Sequence, residues 1–362
     1  MKPIRISVTS ERGTYPVIIG AGTLPGLAGI LDDHGIGKQR LVVSSAPVWK
    51  AHGRRVRSLL SRGDRPALMA VGERAKTLET VTRVYDACVS RGLDRSAAIV
   101  AFGGGVVGDV TGFAAASYLR GVGLVQVPTT LLAQVDSSIG GKVGVNLPAG
   151  KNLVGAFYSP SLVLCDPDVL ATLPRREFRA GLYEVVKYGV IASKSLFVRV
   201  HDGLDAVMAH EPAMLQAIVA ECCRIKADVV MSDERESGPR RVLNFGHTIG
   251  HALEALTDYR RFRHGEAIGY GMLAATRLSV MRGALSEDDE QRIKDIIRAL
   301  GSLPRVNDLR ASEALDVIAR DKKVVSGRLH FVLAASIGAT VIVSDVSRRE
   351  LVQAMRAIGM QA

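Results

Sequence analysis

"AAIVAFGGGVVGDVTGFAAASYLR", residues 97–120, joins two kinds of pattern across three glycines. Residues 97–102 are an unbroken apolar, β-favouring run, and the residues after Gly105 have helical spacing. Strand, tight turn and helix in that order form half of a βαβ unit. Gly103, Gly105 and Gly108 satisfy GxGxxG in this context, where missing side chains let backbone N–H groups and a helix N-terminus approach a pyrophosphate. The acidic residue expected about 20 positions later for a ribose is missing, because that window reads "GLVQVPTTLL". A glycine turn without a ligand therefore stays open, and a bound dinucleotide would not sit in the ordinary Rossmann manner.

Outward from this stretch the same alternation repeats. Apolar runs "RLVVSS" (40–45), "PALMAV" (66–71), "GLVQVP" (123–128) and "SLVLCD" (161–166) are separated by helical segments such as "TLETVTRVYDACVSRG". They predict a Rossmann-like α/β domain with a mostly parallel sheet, to which "IRISV" and "YPVIIG" add an antiparallel edge. After Leu173 and Pro174 the texture becomes helical, at roughly 176–200, 211–232, 242–257, 264–282 and 286–300, with β-like runs only at "LHFVLA" and "ATVIVS". Two domains are expected, an α/β domain over 1–174 and a mainly α-helical one over 175–362, with no long linker between them.

Composition narrows the class. The chain has 362 residues, 47% of them hydrophobic, enough for a sizeable core. There is no apolar leader and no membrane-spanning run, and the four cysteines form no CxxC pair, so reduced core thiols in the cytoplasm are expected. The net charge of +11 is scattered over short clusters, Arg54–Arg57, Arg175–Arg176 and Arg260–Arg263, expected as solvated surface. Without a basic stripe or an aromatic stacking series, neither nucleic acid nor a membrane is the expected partner. A small anionic substrate fits better.

Two further stretches carry chemistry. "VPTTLLAQVDSSIGGKVGVNLPAGKN" (127–152) supplies Thr129, Thr130, Asp136, Lys142, Lys151 and Asn152, a repertoire for phosphate and sugar hydroxyls, at a helix entrance and a following loop. "NFGHTIGHALE" (244–254) places His247 and His251 one turn apart, as in HExxH proteases, but the general-base position is Thr248, which removes the protease reading. A catalytic zinc asks for about three N or O ligands. His264, in "RHGEAIGYGM", and Glu184, one turn before Lys187 in "GLYEVVKYGV", complete a plausible set. The alternative is a routine Glu184–Lys187 surface pair beside satisfied core histidines.

Together these stretches resemble the sugar phosphate cyclases, and most closely the 3-dehydroquinate synthases. "GERAKTLET", "GGGVVGDVTGFAAASYLRG", "QVPTTLLAQVDSSIGGKVGVNLPAGKNLVGAFYSP", "LPRREFRAGLYEVVKYG", "DERESGPRRVLNFGHTIGHALEA", "HGEAIGYGM" and "DKKVVSGRLHFVL" carry the resemblance over nearly the whole chain. It implies zinc or cobalt on Glu184, His247 and His264, with His251 on the substrate phosphate. NAD falls to Glu73, Lys76, Gly104, Gly105, Asp109, Thr129, Thr130, Lys142, Lys151 and Thr172. Arg120, Asp136, Lys142, Asn152, Lys226, Arg240, Asn244, His251 and one of Lys322 and Lys323 would surround substrate, Arg120 across a homodimer interface; Lys142, Lys187, Glu184, His251 and Asn244 would carry catalysis. Where the family often has an acidic or amide residue for the ribose, this chain has Ser44 and Ser45.

The implied reaction converts 3-deoxy-D-arabino-heptulosonate 7-phosphate to 3-dehydroquinate and phosphate, in the shikimate route to aromatic amino acids. It proceeds by transient oxidation at C5, loss of phosphate, return of the hydride and aldol closure. A metal-dependent polyol dehydrogenase has no need for a phosphate pocket, and cyclases that make inosose or valiolone rings act on sugars without a carboxylate.

Overall fold

The computed structural model describes residues 1–236, 238–320, 324–325 and 328–362. It divides into two units, 1–174 with 209–235, and 175–208 with 236–362.

The first unit holds β1 (Ile4–Ser10), β2 (Gly13–Ile19), α1 (Leu27–Asp33), β3 (Arg40–Ser45), α2 (Ala46–His52), β4 (Ala67–Met69), α3 (Leu78–Ser90), β5 (Ala98–Gly103), α4 (Gly105–Ser117), β6 (Gly123–Pro128), β7 (Lys142–Leu147), β8 (Gly150–Phe157) and β9 (Leu162–Cys165). Its main sheet runs β1-β2-β9-β6-β5-β3-β4. Every pairing is parallel except β1 with β2, so the expected antiparallel edge is present. Strand β3 has β4 on one side and β5 on the other, so the winding direction reverses there. In open α/β sheets, ligands bind outside the carboxyl ends of the strands at such a switch point. Here those ends are Ser45 and Gly103.

Helix α4 lies close on both the sheet and strand β7 because its inner face lacks bulk. A Cβ on Gly108 would fall 2.9 Å from Gln126 Oε1, and one on Gly112 would fall 2.3 Å from Val143 Cγ1. Val107, Val110 and Ala114 of that face are buried with Ile99, Leu124 and Val143, and each large apolar side chain so buried contributes about 1.5–3 kcal/mol. The stretch after β6 departs from the expected helix entrance and loop. It forms one π-helical turn (Ala133–Ser137) and then an antiparallel hairpin of β7 and β8. The glycines that suggested a loop instead allow close strand approach, since a Cβ on Gly144 would sit 2.5 Å from the Val154 carbonyl oxygen.

Beyond Pro174 come α5 (Arg175–Ala192), α6 (Lys194–Asp202), α7 (Leu204–Met208) and α8 (Pro212–Ser232). Helix α8 packs with the first unit, whereas the sequence pattern groups it with the helices around it. Specific ties hold it there: Gln216 donates to the Lys2 carbonyl at 3.1 Å, the Cys223 thiol donates to the Gln134 carbonyl at 3.3 Å, and Lys226 meets Asp136 at 2.7 Å. Helical periodicity reports an apolar face, not which neighbour covers it.

The second unit continues with α9 (His247–Leu256), α10 (His264–Met281), α11 (Glu287–Ala299), α12 (Ala311–Arg320) and α13 (Arg348–Ala357), with a hairpin of strands Phe331–Ser336 and Ala339–Val343. Ile249, Leu253, Leu278, Leu315, Leu333 and Met355 fill its core. Two of the basic clusters carry ion pairs while staying solvent-accessible: Arg176 holds Glu266 through two 2.7 Å contacts, and Arg261 holds Asp308 at 2.6 and 2.7 Å. All four cysteines are buried free thiols, and no described helix is long and apolar enough to cross a membrane.

Candidate active site

Three helices of the second unit converge because glycine lets their backbones meet. A Cβ on Gly265, at the start of α10, would lie 1.8 Å from the Ala180 carbonyl oxygen of α5; one on Gly271 would lie 1.8 Å from the Gly246 carbonyl oxygen just before α9. Gly246 itself has φ +77°, a left-handed conformation that starts α9 sharply. The Arg176–Glu266 pair then pins the first turn of α10 to the first turn of α5, and Glu266 also accepts from the Arg263 N–H at 2.8 Å.

Glu184, His247 and His264 are brought together by this packing. Glu184 is fully buried, and its Oε1 stands 3.8 Å from His247 Nε2 and 3.6 Å from His264 Nε2. Each ring is oriented from behind, His247 Nδ1 lying 3.1 Å from the Phe245 carbonyl oxygen and His264 Nδ1 lying 3.3 Å from Glu254 Oε2. Nδ1 hydrogen-bonded to a protein acceptor, with Nε2 turned inward, is the usual arrangement of histidines that ligate metals. The donor set therefore fits a divalent ion with an open position, one carboxylate and two imidazoles whose atoms all lie within 4.8 Å of one another. Among the described residues a second group, His251, Glu254 and His264, meets the same spacing. His251 joins that group and not the first, and its ring centroid lies 5.3 Å from that of His247.

Charge points the same way. Burial alone would depress the His264 imidazolium, but Glu254 and Glu184 outweigh it and push it up to about 10. Two carboxylates thus hold a positive charge at this spot even when only a proton supplies it. Lys187 Nζ lies 2.5 Å from Glu184 Oε2, and both side chains are 1% exposed, so the pair is internal and not a surface bridge. Arg240 is buried in the 3-10 turn Pro239–Asn244, and Asn244 donates to Glu236 Oε1 at 2.6 Å. Lys322 and Lys323 lie outside the described residues.

In the first unit four of the residues assigned to NAD, Glu73, Lys76, Asp109 and Lys151, join one network. Lys76 pairs with Asp109 and donates to Asn152 Oδ1 at 2.5 Å. Asn146 donates to Glu73 Oε1 at 2.8 Å and accepts from the Asn152 N–H at 2.9 Å, while Lys151 stands 4.0 Å from Glu73. Asn152, implied for substrate, adjoins the cofactor set through Lys76 and Asn146, at φ +52°. Burial pushes the Asp109 carboxyl up to about 6 in spite of Lys76. Gly104 and Gly105 open α4, and a Cβ on Gly104 would lie 3.0 Å from the Thr130 methyl. Thr129 is buried beside Gly103, whose carbonyl its N–H reaches at 2.9 Å. Thr172 shares a 2.7 Å hydrogen bond with His52. The Ser44 hydroxyl donates to the Phe102 carbonyl at 2.7 Å, and Ser45, the last residue of β3, is buried. Asp136 and Lys226 form an ion pair, Lys142 is exposed at the start of β7, and Arg120 is exposed in a turn where it and Leu119 are both left-handed.

Sequence patterns did not single out Asn146, Glu236, Glu254 or His52. Glu254 alone left a signal, seven residues after His247 and three after His251 on one helical face.

Two family profiles match the chain, one described as 3-dehydroquinate synthase N-terminal over residues 67–180 and one as 3-dehydroquinate synthase C-terminal over 181–324. A 3-dehydroquinate synthase of Microcystis aeruginosa is 46% identical over 347 residues, covering 94% of each chain. Among solved structures, a 2-epi-5-epi-valiolone synthase of Streptomyces hygroscopicus with NAD+ and Zn2+ bound is 30% identical, with a TM-score of 0.87, covering 98% of this chain and 99% of that one. A 2-deoxy-scyllo-inosose synthase complexed with carbaglucose-6-phosphate, NAD+ and Co2+ is 26% identical, also at 0.87, covering 98% and 100%. With the family profiles continuous from residue 67 to 324 and a relative this similar over nearly its full length, the chain belongs to the 3-dehydroquinate synthase family.

Proposed function

We propose that this chain catalyses the 3-dehydroquinate synthase reaction, turning 3-deoxy-D-arabino-heptulosonate 7-phosphate into 3-dehydroquinate and inorganic phosphate in the cytoplasm, as a step toward aromatic amino acids. The observation that carries the proposal is the convergence of His247 Nε2 and His264 Nε2 on one buried oxygen of Glu184, each ring oriented from behind by a protein acceptor. When bound, NAD supplies reversible hydride transfer at a substrate hydroxyl carbon and the divalent ion supplies Lewis acidity, which together acidify the neighbouring C–H so that phosphate can leave.

The chain's own groups bind and orient. Glu184, His247 and His264 hold the metal, and buried Lys187 beside Glu184 stabilises negative charge that develops on substrate oxygen. Glu73, Lys76, Asp109, Thr129, Thr130, Lys151 and Thr172 hold NAD, with Gly104 and Gly105 giving its phosphates access to the start of α4. Lys142, Asn152 and His251 fix the substrate phosphate, whose own oxygen takes the C6 proton. Arg240 and Asn244 read the carboxylate, Asp136 and Lys226 the hydroxyls. The chain works as a homodimer in which the exposed Arg120 turn reaches the neighbouring protomer's phosphate.

A substrate panel tests the assignment. The heptulosonate phosphate should release phosphate and give dehydroquinate, whereas sugar phosphates that lack the carboxylate should turn over at least about a hundredfold more slowly, since Arg240 would then face no anion. Equal turnover of a carboxylate-free sugar phosphate would assign the chain to another cyclase.

A further inference from the structure

The second unit contains a cavity of about 430 Å³ that the proposed chemistry does not use. It is walled by Leu273 and Arg277 of α10, Lys294, Ile297 and Arg298 of α11, and Ile358 just past α13. Leu273 lies nine residues along α10 from His264, roughly 14 Å along the axis and about half a turn around it. A ligand here would sit on the far side of α10 from the metal donors.

The lining has a consistent chemistry. Leu273, Leu303 and Ile358 give it an apolar body, while Arg277, Lys294 and Arg298 supply cationic groups, and no residue lining it is acidic. Arg277 and Lys294 share one buried carboxylate, Glu290, at 3.5 and 2.8 Å. Arg298 is exposed and has no ion-pair partner among the described residues. Three cations against one carboxylate leave positive charge facing an apolar floor. The volume lies within the usual range for small-molecule sites.

The surrounding backbone is held in place. Gly301, at φ +125°, and Ser302 form the adjoining loop, and their carbonyls accept from Tyr183 at 3.3 Å and Arg179 at 3.2 Å, both on α5. Tyr270, also on the wall, donates to the Pro304 carbonyl at 2.8 Å. The cavity is therefore bounded by fixed helices and a tethered loop, a preorganised shape rather than a gap between mobile segments.

We infer that this cavity is a second ligand site, separate from the catalytic one, that takes a small organic anion: a carboxylate on a compact apolar body about the size of one ring. The carboxylate meets Arg298 and Arg277 while the ring lies on Leu273, Leu303 and Ile358.

Benzoate is the probe, with benzamide as its uncharged isostere, titrated calorimetrically into protein loaded with NAD and zinc in excess inorganic phosphate. Benzoate should bind about tenfold or more tightly than benzamide, the difference a charge-assisted contact makes. Arg298→Glu, at an exposed position, should weaken benzoate about tenfold, and Ala357→Trp, which plugs the mouth from the exposed end of α13, should abolish binding; neither should alter zinc content or turnover. Equal affinity for benzamide, benzoate binding that survives both substitutions, or no benzoate binding to the unsubstituted protein would overturn the inference.

Discussion

Removing the carboxylate of Glu254 should loosen the metal without touching any ligand. Its Oε2 lies 3.3 Å from His264 Nδ1, on a side chain 8% exposed, so it fixes both the tautomer and the rotation of that ring. Losing an outer carboxylate of this kind costs about 10–100-fold in metal affinity, or roughly 1.4–2.7 kcal/mol. Glu254→Gln keeps an acceptor but loses the charge, so it should lie near the tenfold end. Glu254→Ala loses both and should approach a hundredfold. The assay is competition for zinc between metal-stripped protein and a chromophoric chelator. Glu184→Ala, which removes a direct ligand, should lose more than either. Zinc affinity unchanged in Glu254→Ala, or a loss in it as large as in Glu184→Ala, would refute the orienting role.

Gly265→Ala would place a methyl 1.8 Å from the Ala180 carbonyl oxygen, and forcing α10 from α5 should cost at least about 1–3 kcal/mol, read as a lower melting temperature together with zinc loss. Lys76→Met removes the partner of Asp109 and Asn152 and should weaken NAD binding about tenfold, measured by fluorescence titration. Acid should weaken the second unit as Glu350 takes up its proton. Arg282 and Ser347 hold the Glu350 carboxyl down at about 2, so its stabilisation is present above its ordinary value near 4.5 and is lost as pH falls from there toward 2. Arg282→Leu should flatten that part of the stability profile, and an unchanged slope would contradict it.

Much of the fold was legible because its strands are buried on both faces and read as continuous apolar runs, with β5 and the three glycines after it the clearest case. For helix α8 the periodic apolar face, Leu215, Ile218, Val219 and Cys222, was visible, but which unit covers it was not; it packs on β1 and β2, with Gln216 to Lys2 and Lys226 to Asp136 as added ties. The β7–β8 hairpin was hidden by Gly144 and Gly155, which serve close backbone approach where glycine usually marks a loop. At the metal centre the residues showed in their spacing, but the choice between zinc set and core histidines did not. What favours the zinc set is the burial of Glu184 and the two acceptors behind the rings, contacts that tertiary packing creates between residues up to 80 positions apart, as from 184 to 264. The oxygen of Phe245 is backbone and has no sequence signature.

The central claim is that the proposed reaction needs both a metal held by Glu184, His247 and His264 and an NAD that each turnover regenerates. The most direct measurement follows phosphate release and absorbance of reduced NAD together, with heptulosonate phosphate in large excess over NAD, before and after chelation. Many phosphates per NAD, no accumulation of the reduced form, arrest by chelator and recovery on adding zinc are the predicted results. Reduced NAD accumulating one for one with product, or undiminished turnover after the metal is stripped, would contradict it.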